Sequence, residues 1–313
     1  MDSLSRRVVE EQEAPVECRV RVPATTTNFG PGFDTFGAAL RLYNQITLRV
    51  GVRESGDLHP MVREAAEAFG TAVGGQPPPF ECAISGAIPC ARGLGSSAAV
   101  RAGILVGLNE LHGRPLSPAQ LIALGSRLEG HPDNIAAALL GGFTISTDEG
   151  RTRVPLSNRL EFVAFIPEME METEWARSVL PQTVSLRDAV WNLQRAARIA
   201  AAICLRRYEE LRGLFEDRWH EPARVQRIAA WERMRRSAYG AGAIGFYLSG
   251  AGSTLMALAT GRGAEVAEAM RCTAAEAGLK GICQRIRAEN RGARAWLRRP
   301  SRRLREGGRK HAA

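Results

Sequence analysis

Residues 88–99 read IPCARGLGSSAA and run straight into VRAGILVGLNEL, a segment with helical apolar spacing. Gly93, Gly95, Ser96 and Ser97 thus stand at the mouth of a helix, which constrains the chain in two ways. Glycines permit a tight loop with no Cβ in the way. A helix start leaves about four backbone N–H groups unpaired and carries roughly half a positive charge, so anions, phosphates above all, bind there. Ser96 and Ser97 can cap the helix, donate to phosphate oxygens or ligate Mg²⁺. The same letters also describe an ordinary glycine turn with a serine cap. They form neither a P-loop, since GxxxxGK[ST] is absent, nor a dinucleotide fingerprint, which needs GxGxxG and a placed acid.

Around this stretch the pattern alternates between strand and helix without regular βαβ order. ECRVRV (17–22) reads as a strand ending at Pro23, ATTTNFGPGFDTFG as a turn-rich loop, and NQITLRV (44–50) and FECAISG (80–86) as strands. Helices are predicted at 58–69, 97–111 and 117–128, the last with Ser117 as cap and Pro118 at the first helical position, and a short one follows Pro132. GGFTIST and EFVAFIP return to strand on either side of a boundary near 150–160. A helical region spans 173–239, with apolar positions at Trp191, Leu193, Ile199 and Ile203. IGFYLSGAGSTLMAL reads as strand, glycine turn, then strand or helix. A helix at 263–277 and the strands GICQRIRA and ARAWL close the body. Such an order predicts an α+β fold rather than a Rossmann fold.

Composition excludes several classes. The chain has 313 residues and a formal charge of +9, but residues 298–313 hold seven Lys or Arg against one acid. That tail carries +6, and having no aromatic residues for stacking it reads as a disordered, solvating extension rather than a nucleic-acid arm. Residues 1–16 read as a flexible, polar N-terminus without an apolar signal core. The six cysteines have no CxxC spacing and the five histidines are dispersed, which fits reduced thiols and no tightly bound metal. No segment is long and apolar enough for a membrane span, so a cytoplasmic protein without a membrane partner is expected.

Three further stretches stand beside the glycine-serine motif: VPATTTNFGPGFD, EGHPDN and LSGAGST. With TEWARSVLP and DRWHEPAR they give the chain its resemblance to the GHMP kinase superfamily and, within it, to the homoserine kinase family, over roughly residues 17–297. The resemblance implies a two-domain α+β fold. Its N-terminal ATP-binding domain is expected at 17–155 and its C-terminal, ferredoxin-like domain at 156–297. It makes Pro89, Cys90, Ala91, Arg92, Gly93, Leu94, Gly95, Ser96, Ser97, Ala98 and Ala99 the phosphate loop for ATP. It implies Mg²⁺ held by Ser96 or Ser97 with Glu129, a chemically sensible oxygen pair.

The implied acceptor is L-homoserine, phosphorylated on its side-chain hydroxyl in threonine biosynthesis. Asn28 and Asp34 match the amino-acid and hydroxyl contacts, Asn134 the residue that holds the reacting hydroxyl, and Arg177 and Arg224 the arginines that grip the carboxylate. Thr173 adds a hydroxyl contact. An arginine fork suits a carboxylate as lysine does not. Asn134 cannot take a proton, so catalysis would rest on alignment and charge neutralisation, with Asp34 left open as a base. Ser253 departs from the proline of many relatives, and the linker RVGVRESGDLHPMV is short for the family. Relatives are often homodimers. A kinase for another small amino-acid alcohol such as L-threonine, or a non-catalytic nucleotide-binding relative, are the competing readings; the latter expects loss of Ser97, Glu129 or Asp34, and all three are present.

Overall fold

The computed structural model describes residues 16–52 and 57–298. The expected flexible N-terminus and basic tail lie outside the described residues, except that Val16 and Arg298 are strand residues. The chain opens with a long antiparallel hairpin, β1 (Val16–Asn28) and β2 (Gly32–Val50). The loop expected at 24–37 is therefore mostly strand. Its three β-branched threonines suit extended backbone, and Pro23, which has no N–H to give, sits at a register shift rather than at a strand end. The hairpin reverses over a short turn that starts at Asn28 and Phe29, both in the left-handed region (φ 72° and 50°).

Four more strands complete the first sheet: β3 (Phe80–Gly86), β4 (Phe143–Ser146), β5 (Arg151–Val154) and β10 (Arg294–Arg298). The order is β10-β1-β2-β4-β5, with β3 also paired to β2. The helices α1 (Pro60–Val73), α2 (Ser96–Leu111), α3 (Pro118–Glu129) and α4 (Asp133–Leu140) gather beside it, α2 and α4 directly on β1 and β2. Val20, Val22, Ile46 and Leu48, all fully buried, lie against α2 at Gly103 and Gly107, where an added Cβ would fall 2.5 Å from Ile46 and 2.7 Å from Leu48. Each such side chain contributes about 1.5–3 kcal/mol by leaving water, which seats the helix start firmly against the sheet. Ser117 and Gln120 close a capping box on α3, as its sequence predicts.

The second sheet contains β6 (Leu160–Pro167), β7 (Gly245–Leu248), β8 (Leu255–Thr260) and β9 (Gly281–Arg287) in the antiparallel order β7-β8-β6-β9. With helices between β6 and β7 and α9 (Gly263–Glu276) between β8 and β9, this is the ferredoxin-like β-α-β-β-α-β order. The region expected to be helical over 173–239 is broken into α5 (Thr173–Ser178), α6 (Leu186–Cys204), α7 (Glu221–Arg224) and α8 (Trp231–Gly240), with two short 3₁₀ turns. Pro181, Gly213 and Pro222 punctuate it. Ile199 and Ile203 of α6 turn inward as expected, but Leu193 is 66% exposed. The last strand corrects the expected domain division. β10 belongs to the first sheet, where Arg298 pairs with Glu17, so the last described strand lies beside the first.

Candidate active site

A cavity of about 670 Å³ lies where both sheets deliver their glycine turns. One end of it is the loop before α2. Gly95 is the N-cap of that helix (φ 67°), and neither serine caps it, contrary to one sequence expectation. The helix-start N–H groups, beginning at Ser96, are thus left without a side-chain partner. Gly93 and Gly95 are needed on the protein side of the loop. A Cβ on Gly93 would fall 2.0 Å from the Ser249 carbonyl oxygen, and one on Gly95 would fall 1.9 Å from Thr25 Oγ1. The LSGAGST turn closes against the loop through Ser249 Oγ, which donates to the Gly93 carbonyl (2.7 Å), and the Thr254 N–H, which donates to that of Arg92 (3.2 Å).

Behind the loop, Ser97 Oγ donates to Glu129 Oε2 over 2.9 Å, while Arg101 holds the other oxygen of Glu129. Ser96 Oγ has no link to Glu129 and lies 3.6 Å from Cys90 Sγ. Beyond these sits the segment His131–Asn134 at the start of α4. Asp133, almost fully buried, accepts from His131 Nδ1 (2.6 Å) and from the Asn134 backbone N–H (2.7 Å). Burial alone would depress the His131 pKa, but the Asp133 carboxylate outweighs it and holds the imidazole above its usual value.

The other end is charged. Asp34 (φ 53°) receives both terminal nitrogens of Arg177 at 2.9–3.1 Å, and this pair is about one-third exposed. Arg224 differs. It is 2% exposed, its Nε donates to the Ala176 carbonyl (2.8 Å), and its Nη1 reaches His220 Nδ1 (3.1 Å) and the Gly250 carbonyl (3.3 Å). No carboxylate among the described residues forms an ion pair with it. Burial first, then the nearby Arg177 charge, brings its pKa down to about 10, against the pull of Asp34 and Asp217. Both guanidinium carbons lie over the Phe33 ring, at 5.2 Å for Arg224 and 5.7 Å for Arg177. Asn28 is spent on the fold, its Nδ2 donating to the Gly250 carbonyl and its Oδ1 accepting the Asp34 N–H.

The chain has known relatives. Residues 60–142 match the family of GHMP kinases N terminal domain and residues 199–276 that of GHMP kinases C terminal, together over half of the chain. A homoserine kinase of Moorella thermoacetica is 38% identical over 88% of this chain and 98% of its own length. The chain belongs to the homoserine kinase family. Another homoserine kinase, from Crocosphaera subtropica, is 41% identical over 76% of this chain and 84% of its own. The crystal structure of homoserine kinase from Cytophaga hutchinsonii shares the fold, with a TM-score of 0.82 at 24% identity over 90% of this chain and 97% of that one.

Of the residues that family resemblance singles out, Asn28, Asp34, Glu129, Asn134, Thr173, Arg177 and Arg224 all line the one cavity, as do Cys90–Gly93 and Gly95–Ser97. Pro89, Leu94, Ala98 and Ala99 do not. The last three are fully buried and pack the loop onto the core instead. Sequence reasoning misses Thr25, Phe33, His131, Asp133 and His220. Two of these are visible in HPDN, where a buried acid one residue before the helix asparagine is a ready partner for it. Thr25, Phe33 and His220 carry no local signal, because their contacts are made only across the folded chain.

Proposed function

We propose that this cavity transfers the γ-phosphoryl group of ATP to the side-chain hydroxyl of L-homoserine, giving O-phospho-L-homoserine and ADP. The observation that carries the reading is Arg224, a buried guanidinium without an acidic partner among the described residues, lining an open cavity. Buried charges are normally paired. The missing partner is supplied by a ligand carboxylate, with Arg177 beside it. Asp34 answers the ammonium group, so a zwitterion satisfies both signs of the site where a plain alcohol satisfies neither.

On the donor side, Ser97 and Glu129 fit Mg²⁺. They offer two hard oxygens 2.9 Å apart, close to the roughly 3.0 Å between neighbouring ligands of an octahedral ion with bonds of about 2.1 Å. Ser97 rather than Ser96 is the ligand, since only Ser97 touches Glu129. Bound there, the ion supplies charge neutralisation for the phosphates. The N–H groups at the start of α2 add to it. Met61, Ile84 and Ile88 line an apolar stretch of the cavity suited to the nucleotide base. Asp34 serves as a charge partner and not as a base, because Arg177 engages both of its oxygens. No helix among the described residues is long and apolar enough to cross a membrane.

Turnover of ATP with homoserine, threonine, serine and 3-aminopropanol tests the reading. Homoserine should give the highest kcat/KM. It should exceed 3-aminopropanol, which lacks the carboxylate, by at least about a hundredfold, since charge-assisted hydrogen bonds contribute roughly 1.5–3 kcal/mol each. A higher kcat/KM for threonine would transfer the assignment to that acceptor.

A further inference from the structure

Thr25 is wholly buried in β1, and none of the roles above uses it. Its backbone N–H donates to the Leu94 carbonyl of the phosphate loop (3.1 Å), and its hydroxyl donates to Asn134 Oδ1 (2.6 Å). One residue therefore ties the loop for the donor phosphates to the side chain for the acceptor hydroxyl. There is no slack between them: a Cβ on Gly95 would lie 1.9 Å from Thr25 Oγ1 and 2.9 Å from Asn134 Oδ1.

The orientation of the Asn134 amide follows from its neighbours. One end can only accept and the other only donate. Asp133 Oδ1 lies 3.3 Å from Nδ2 and already accepts the Asn134 backbone N–H and His131 Nδ1. A carboxylate accepts only, so the reversed amide would set two acceptor oxygens against each other. Asp133 fixes Nδ2 on its own side. The Thr25 hydroxyl, which can act either way, must then donate to Oδ1.

We infer that Thr25 is a positioning residue for phosphoryl transfer: together with Asp133 it locks the Asn134 amide so that an Nδ2 hydrogen, not the carbonyl, is presented to the acceptor hydroxyl. This rests on the homoserine kinase reading and deepens it. The hydroxyl oxygen accepts from Asn134 and keeps its proton directed elsewhere. It bonds to the γ-phosphorus, the bond from that phosphorus to the ADP oxygen breaks, and the proton passes to an oxygen of the transferred group. Phosphoryl transfer depends on alignment and charge more than on base strength. A buried hydroxyl that sets the alignment therefore governs kcat rather than binding.

The test is kinetic, on Thr25→Val, Thr25→Ser, Asn134→Ala and the Thr25→Val/Asn134→Ala double variant, with calorimetric affinities for homoserine and for a non-hydrolysable ATP analogue. Valine keeps the shape and deletes the hydroxyl. A misplacement of about 1 Å costs on the order of a hundredfold, so Thr25→Val should lower kcat roughly tenfold to a hundredfold while both affinities stay close to wild type. Serine should restore most of kcat. In the Asn134→Ala background the valine change should add nothing, because the path runs through Asn134. Should the valine variant not fold, Thr25→Cys, with its weak S–H donor, replaces it. Unchanged kcat, or losses that multiply in the double variant, overturn the inference. So does a serine variant no better than valine with Tm lowered equally, which would mean a packing role. Wild-type protein inert towards homoserine sinks the functional reading itself, a result distinct from any Thr25 phenotype in an active enzyme.

Discussion

At the donor end of the cavity, Cys90–Ser97 is one continuous loop, shaped by two glycines in the left-handed region and clamped by the Ser249 and Thr254 contacts. At the acceptor end, Asp34, Asn134, Arg177 and Arg224 arrive from β2, α4, α5 and α7, as many as 190 residues apart in sequence. The donor end works with backbone N–H groups, which need no charged partner. The proposed acceptor end works with full charges, and these are unequally paired: Arg177 is held by Asp34 and partly open to water, while Arg224 is buried and forms no ion pair among the described residues. Two arginines that look equivalent in TEWAR and HEPAR should therefore contribute unequally.

The largest expected effect follows from that inequality. Arg224→Ala should lower kcat/KM for homoserine by at least about a hundredfold, since it removes the charge-assisted bonds proposed to hold the substrate carboxylate. Turnover of 3-aminopropanol should fall far less, which compresses the ratio between the two acceptors. Because Arg224 also bonds Ala176, His220 and Gly250, some loss of Tm is expected alongside. Parallel losses for both acceptors would mark Arg224 as a purely structural residue and erase the difference between the two arginines.

Asn134→Asp comes next. The variant is nearly isosteric and supplies a carboxylate where the reacting hydroxyl is proposed to be held, so a site short of a base should gain from it. Here it should lose roughly tenfold to a hundredfold in kcat, because the new carboxylate faces Asp133 and no longer offers an N–H. A kcat at or above wild type would show that base strength limits the reaction.

Ser97→Ala sharpens the donor side. Removing one of two proposed oxygen ligands should raise the Mg²⁺ concentration needed for half-maximal rate by about tenfold, on the scale of losing a group that supports a metal site. Ser96→Ala should leave that concentration unchanged. The reverse order would move the ligand to Ser96.

The same division of the cavity explains what is legible in the sequence. A contiguous loop announces itself, since its glycines, serines and following helix stand side by side in the letters. What the letters hide at Gly95 is the direction of the constraint. Gly95→Val reads in sequence as a block to phosphate in an intact fold, yet its side chain would strike Thr25 and Asn134, so the variant disturbs the core of the site as well. The threonines of ATTTN read as loop because glycine and proline surround them, and strand pairing with β2 overrides that punctuation. The Arg298–Glu17 pairing that returns β10 to the first sheet and the Arg177–Asp34 pair are contacts across 281 and 143 residues. Local spacing carries no trace of either.

The smallest effect expected is at Arg177, and it is the finest test of the asymmetry. Its guanidinium shares both terminal nitrogens with Asp34, and its side chain is 38% exposed. Water screens such a pair, and exposed ion pairs typically contribute only about 0–1 kcal/mol. Arg177→Lys keeps the positive charge near Asp34 and the substrate carboxylate but loses the planar fork. KM for homoserine should rise only a few-fold, kcat should hold, and stability should stay within about 0.5 kcal/mol of wild type. Arg224→Lys has no such latitude. A lysine there cannot reproduce bonds to Ala176, His220 and Gly250 together, and its ammonium would be buried where a guanidinium already has its pKa brought down to about 10. Kinetics and thermal denaturation of the two lysine variants, measured side by side, decide the matter. Equal losses would mean that Asp34 does not hold Arg177 in reserve and that both arginines grip the carboxylate alike.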